Sequence, residues 1–130
     1  MNVLIVEDDQ TMRTFMKISL VKCSFKISNI FEAKNGFEAM AILEKEDIHF
    51  IFTDIMMPKM GGVELIERIH NHPKLQNIPI VAVTSETGDQ LINMLSFWGH
   101  GYVKKPYSMH SLEHQLSNFQ QQSNDYNLHG

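Results

Sequence analysis

Short continuous apolar runs alternate along the chain with stretches in which apolar residues recur at helical spacing. Val3-Leu4-Ile5-Val6 is stopped by Glu7-Asp8-Asp9, a pattern that suits a strand covered on both faces. Met12, Phe15, Met16 and Leu20 predict a first helix, with Asp9 placed to cap it. Ile27 to Phe31 is a weaker strand candidate, and the helix after it begins near Gly36 and carries Ala39, Ile42 and Leu43. Ile48 to Thr53 is the third strand, followed by a loop punctuated by Pro58 and Gly61-Gly62. Val63, Ile66 and Ile69 give a third helix that closes before Pro73, and Ile78 to Val83 is the most apolar strand. Leu91, Met94, Leu95 and Trp98 mark a fourth helix, Tyr102-Val103 a short fifth strand, and Met109, Leu112, Leu116 and Phe119 the last helical stripe. Five strands alternating with five helices predict an α/β three-layer sandwich, with a parallel sheet and right-handed crossovers. The folded domain is expected over 1–122, and the polar tail over 123–130, which lacks periodicity, is expected to be disordered.

Composition narrows the function classes. The 130 residues are 43% hydrophobic, enough for one domain with a sizeable core. The formal net charge is −4, and neither Lys nor Arg occurs after Lys105. Both facts argue against a nucleic-acid surface, which needs a basic patch to meet phosphates. Cys23 is the only cysteine, so no intramolecular disulfide forms and a reducing compartment is natural. The amino terminus has no basic region before its apolar run, and no apolar run approaches the ~20 residues of a membrane span. A cytoplasmic protein with no membrane partner is expected.

In a sheet of this kind, chemistry belongs at the carboxyl ends of the strands. Strand one ends in Glu7-Asp8-Asp9, strand three in Asp54, strand four in Thr84-Ser85, and strand five leads into Lys104-Lys105-Pro106. Carboxylates gathered at one edge repel one another unless a cation neutralises them, and hard oxygen ligands suit Mg²⁺. A divalent ion and a lysine ammonium together would neutralise the equatorial oxygens of an incoming phosphoryl group. Thr84 offers a short hydroxyl to the same oxygens. Asp54 is the carboxylate best placed to attack phosphorus.

Four stretches in this order resemble the motifs of response-regulator receiver domains of the stand-alone, CheY-like type: VEDDQTMR, TDIMMPKMGGVEL, VAVTS and YVKKPY. The resemblance covers roughly the first nine-tenths of the chain. It implies a flavodoxin-like (βα)5 fold with strand order 2-1-3-4-5. It also implies a role for each site residue. Asp54 is the phosphoacceptor and a ligand of Mg²⁺ (or Mn²⁺), Asp8 binds the metal directly, and Glu7 acts through a metal-bound water. Met56 offers its backbone carbonyl to the metal. Lys105 pairs with Asp54 and then with the phosphate, Thr84 swings toward the phosphoryl oxygens, and Tyr102 fills the space vacated. The Lys105-Pro106 bond is expected to be cis. The implied partners are a sensor histidine kinase or histidine phosphotransfer protein upstream and a protein target downstream. The protein is then no conventional enzyme, since it assists only its own phosphorylation and dephosphorylation.

Other readings stand beside these. An aspartate-nucleophile phosphatase of the haloacid-dehalogenase type needs a carboxylate two residues after the nucleophile, where Met56 stands. A phosphorelay intermediate shares the chemistry, and a degenerate receiver would serve as a constitutive binding module. Tyr102 also reads as plain core, since aromatic residues near strand ends are usually packing. His110 and His114 sit at i, i+4, but opposite the apolar stripe and with no third ligand nearby, so a solvated face is expected. The stretch SFWGHGYVKKP departs from the family pattern by carrying Phe97 and Trp98 where small side chains are usual. Phe97, Trp98 and Tyr102 are therefore the candidate partner face.

Overall fold

The computed structural model describes residues 1–85 and 88–119, and a last helix whose side chains enter the account as far as Phe119. The order is β1 Asn2–Val6, α1 Gln10–Lys22, β2 Asn29–Ala33, α2 Gly36–Lys45, β3 Phe50–Asp54, α3 Gly62–His70, β4 Ile80–Thr84, α4 Asp89–Phe97, β5 Gly101–Lys104 and α5 Met109–His129. The expectation of a disordered tail over 123–130 lies outside the described residues. All pairings are parallel, and the strand order is β2-β1-β3-β4-β5, as the flavodoxin-like reading requires.

Every side chain of β3 and β4 is buried, because helices cover the sheet on both faces. Successive residues of a strand point to opposite faces, so the sheet divides its apolar residues between two cores. Leu4, Val6, Ile51, Ile80 and Ala82 meet α2, α3 and α4 through Ala39, Leu43, Leu65, Ile66, Ile69 and Leu95. Val3, Ile5, Phe50, Phe52, Val81, Val83 and Val103 meet α1 and α5 through Met16, Leu20, Leu112 and Leu116. The result is the three-layer sandwich, with α1 and α5 on one side.

The edge strand β2 begins two residues later than the apolar run Ile27–Phe31 suggests. Ile27 instead packs against the second core ahead of the strand. Phe15 and Met109 of the helical stripes stand partly open, 43% and 40% exposed. Phe15 places its ring against Tyr107, with centroids 5.6 Å apart. Among the described residues no helix is long and apolar enough to cross a membrane.

Candidate functional site

Crossovers that return each strand in the same direction bring the ends of β1, β3, β4 and β5 to one edge. Val6 closes β1, and Glu7 follows it into the sheet edge, 2% exposed, with its N–H on the Ala33 carbonyl at 3.0 Å. Asp8 is exposed. Asp9 caps α1, its Oδ1 accepting from the Met12 N–H at 3.0 Å, while its own N–H donates to Glu7 Oε2 at 3.3 Å. Asp54 is the last residue of β3 and is buried.

Three donors converge on Asp54 Oδ1: the N–H of Ile55 at 2.8 Å, the N–H of Met56 at 3.4 Å and the Lys105 ammonium at 3.3 Å. That ammonium also reaches Glu7 Oε1 at 3.3 Å. Carboxylate oxygens of Glu7, Asp8 and Asp54 all lie within 4.8 Å of one another. Thr84 is buried at the end of β4, and its carbonyl accepts the Lys105 N–H at 2.8 Å, so β4 fixes the lysine's backbone. The Lys105-Pro106 peptide is cis, as expected.

The loop after Asp54 explains its glycines. The Gly62 N–H bonds the Ile55 carbonyl at 3.0 Å, which draws the start of α3 onto the strand end. A Cβ on Gly62 would stand 2.2 Å from the Asp54 carbonyl oxygen, so no other residue fits without movement. Lys59 completes the turn in the left-handed region, at φ 61°.

The electrostatics follow from the crowding. Burial pushes the Glu7 carboxyl up to about 7, helped by a hydrogen bond to Asp8 and by the charge of Asp54. Burial acts to lower the Lys105 ammonium, but the charges and hydrogen bonds of Asp54 and Glu7 outweigh it and hold it above the ordinary lysine value. Tyr107 is raised too, by burial and then by the negative charges of Glu7 and Asp54. Glu7, Asp8 and Asp54 thus offer hard oxygen donors that carry more negative charge than one ammonium offsets. Such a donor set fits Mg²⁺ or Mn²⁺.

The expected residues Glu7, Asp8, Asp54, Thr84 and Lys105 therefore stand at one strand edge. Met56 lies on the loop beside them with its side chain 64% exposed, so only its backbone faces the site. Tyr102 pairs with Ala82 within the sheet and is 39% exposed. Trp98 is not on the open face with Phe97 and Tyr102. It stacks on His70, centroids 4.1 Å apart and planes 14° apart, and packs against the first core, so it anchors the end of α4 to α3. Phe97, by contrast, is 86% exposed. His110 and His114 are exposed, as the solvated reading has it. His100 accepts the Ile80 N–H on Nδ1 at 3.1 Å, and burial lowers it to about 4, with the charge of His70 adding to the effect.

Arg13 is the neighbour that pattern reading missed. It is buried on the inner face of α1, and it donates from Nη1 to the carbonyls of Glu7 at 2.8 Å and Asp8 at 3.4 Å. A charged residue on an amphipathic helix reads as solvated, and the only local signal is its place one turn before Met16 and two before Leu20.

Comparison with known proteins agrees with this geometry. The family model for the response regulator receiver domain matches residues 3–117. A chemotaxis protein CheY homolog of Campylobacter jejuni is 34% identical over 118 residues, 89% of each chain. The solved structure of the chemotaxis response regulator CheY4 of Vibrio cholerae superposes with a TM-score of 0.76 at 25% identity, over 90% of this chain and 96% of that one. The Mn²⁺-bound form of response regulator Rcp1 shares the fold, with a TM-score of 0.73 at 22% identity over 86% of each chain.

Proposed function

The chain belongs to the response-regulator receiver family, and from that premise we propose that it is a phosphorylation switch with Asp54 as the acceptor. The observation that carries this reading is the convergence of Lys105 and two main-chain N–H groups on a buried Asp54 oxygen beside Glu7 and Asp8. A phosphohistidine on a sensor histidine kinase or a histidine phosphotransfer protein is the donor. An oxygen of Asp54 forms a bond to phosphorus while the phosphorus–nitrogen bond to the imidazole breaks. The electron pair stays on that nitrogen, which takes up a proton, and the product is an acyl phosphate on Asp54.

Asp8 and Asp54 would hold Mg²⁺ or Mn²⁺ directly, with the Met56 carbonyl as a further ligand and Glu7 acting through water. The ion, when bound, supplies charge neutralisation to the phosphoryl oxygens. Lys105 is already aimed at Asp54 and follows the new charge, about −1.5 to −2 if it resembles other phospho-residues. The Thr84 hydroxyl sits one strand away and donates to the same oxygens. Thr84 and Tyr102 lie on the adjacent strands β4 and β5, so a movement at Thr84 is transmitted toward Tyr102 and Phe97, the face left open for a downstream protein. Relatives that bear the chemotaxis name support this mode of action, in the reducing cytoplasm that the lone thiol Cys23 suits. The same chemistry serves a phosphorelay intermediate that passes the group onward.

The test is intact mass after incubation with acetyl phosphate and Mg²⁺. Wild type gains one phosphoryl mass and Asp54→Asn gains none. Persistence of the added mass in Asp54→Asn removes the assignment. Failure of wild type to react with any small donor, or with beryllofluoride as a mimic, favours a constitutive binding module.

A further inference from the structure

The turn that carries Glu7 and Asp8 has few contacts of its own to fix it. The Glu7 N–H is tied to the end of β2, and Asp9 closes a local hydrogen bond to Glu7 Oε2. Lys105 holds the Glu7 carboxylate at 3.3 Å, and a further restraint, on the main chain of the turn, comes from Arg13. Its Nη1 takes the carbonyls of Glu7 and Asp8, at 2.8 and 3.4 Å, and its Nε takes Glu32 Oε1 at 3.4 Å. Glu32 lies in β2 next to Ala33, whose carbonyl accepts the Glu7 N–H, and its other oxygen also pairs with Lys17 at 3.5 Å. The guanidinium thus joins α1, the acid-bearing turn and the end of β2.

The choice of acceptors is informative. A buried cation beside Glu7 and Asp8 could bond their carboxylates, which would neutralise them and compete with a metal ion. Arg13 instead bonds their main-chain oxygens, while Glu32, outside the acid cluster, takes its charge. We infer that Arg13, braced by Glu32, is a positioning residue that holds the Glu7-Asp8 turn in the conformation that binds a divalent cation. The inference rests on the reading of Glu7, Asp8 and Asp54 as a cation site. Lysine is a poor substitute, since one ammonium lacks the planar fork that meets two carbonyls and a carboxylate at once. Electrostatics alone predicts the opposite of positioning, because deleting a positive charge near a cation site tightens cation binding.

The experiment is a Mn²⁺ titration of the full chain with no phosphoryl donor, followed by the electron paramagnetic resonance of the free ion. Removal of a group that orients metal ligands typically costs about 10–100-fold in metal affinity, and that loss is expected for Arg13→Met. Arg13→Lys is expected to lose less, and Glu32→Gln less again. Leu20→Ala, which damages the same helix away from the turn, is expected to bind Mn²⁺ as wild type does. Affinity in folded Arg13→Met equal to or tighter than wild type overturns the inference, and so does an equal loss in Leu20→Ala. If Arg13→Met does not fold, Arg13→Lys and Glu32→Gln decide the matter, and wild-type affinity in both overturns it. A wild type that binds no Mn²⁺ sinks the cation site itself, a failure distinct from variants that match a binding wild type.

Discussion

The ammonium of Lys105 stands 3.3 Å from Asp54 Oδ1, and the turn after β5 delivers it there. The same nitrogen is 3.3 Å from Glu7 Oε1, so one cation answers two buried carboxylates, one just after β1 and one at the end of β3. An arrangement of this kind lowers the repulsion in the resting protein and is already in position for negative charge arriving on Asp54. Lys105→Ala is expected to slow phosphoryl addition from acetyl phosphate by about a hundredfold, the usual cost of removing one preorganised donor. Timed intact-mass spectra at fixed Mg²⁺ measure it. An unchanged rate would show that the lysine only balances charge at rest.

Gly62 provides a steric test of the loop. The Cβ of Gly62→Ala would fall 2.2 Å from the Asp54 carbonyl oxygen and 2.8 Å from the Ile55 Cα, both rigid backbone atoms. The helix start must therefore move away from the strand end, at a cost of about 1–3 kcal/mol for overpacking. Gly88→Ala is the control, since among the described residues beyond its chain neighbours no heavy atom lies within 4 Å of its Cβ. Urea midpoints are expected to fall for Gly62→Ala and hold for Gly88→Ala. Equal midpoints in Gly62→Ala and wild type would mean that the loop yields freely.

Thr84 separates acceptance of the phosphoryl group from the response to it. Its side chain is buried at the strand end, and Ala82, two residues earlier, pairs with Tyr102. Thr84→Val keeps the shape and removes the hydroxyl. It is expected to take a phosphoryl group, yet to lose the beryllofluoride-induced changes in the amide spectra of α4 and β5 that wild type displays. Thr84→Ser is expected to retain them. Full spectral changes in Thr84→Val would deny the hydroxyl any part in the switch.

How much of this was legible in the sequence depends on whether a contact is local. The apolar runs located β1, β3 and β4 because strands covered on both faces are apolar through most of their length, although β3 and β4 begin two residues later than the runs Ile48–Thr53 and Ile78–Val83. Their ends then located Glu7, Asp8, Asp54 and Thr84 directly. Strand β2 is displaced by two residues at both ends, since an edge strand with half-exposed positions carries a weaker pattern and Ile27 is apolar because it packs ahead of the strand. Trp98 read both as part of the apolar stripe of α4 and as part of a partner face, because nothing nearby in sequence announces His70, which meets it from the end of α3. Arg13 was hidden by the same limit: its acceptors lie one turn back and across the sheet, while its charge suggests water.

The raised carboxyl of Glu7 gives a pH dependence whose direction can be worked out. Its folded value is about 7 against an ordinary 4.5, owing first to burial. A carboxyl raised on folding favours the protonated fold, so its contribution to stability is fully present below about 4.5 and is lost as the pH rises through about 7. The span corresponds to roughly 3 kcal/mol, at 1.36 kcal/mol for each pH unit. Glu7→Gln stays neutral throughout. In EDTA the variant is expected to match wild type near pH 4 and to exceed it at pH 8, where the buried carboxylate of wild type must stay charged beside Asp54. Saturating Mg²⁺ at pH 8 is expected to narrow that gap or reverse it, because only the ionised wild type gains from the cation. Urea midpoints at both pH values, with EDTA and with Mg²⁺, decide it. A difference between variant and wild type that does not change with pH would mean that Glu7 titrates as an ordinary surface acid, and that the crowding of the three carboxylates is relieved by some other group.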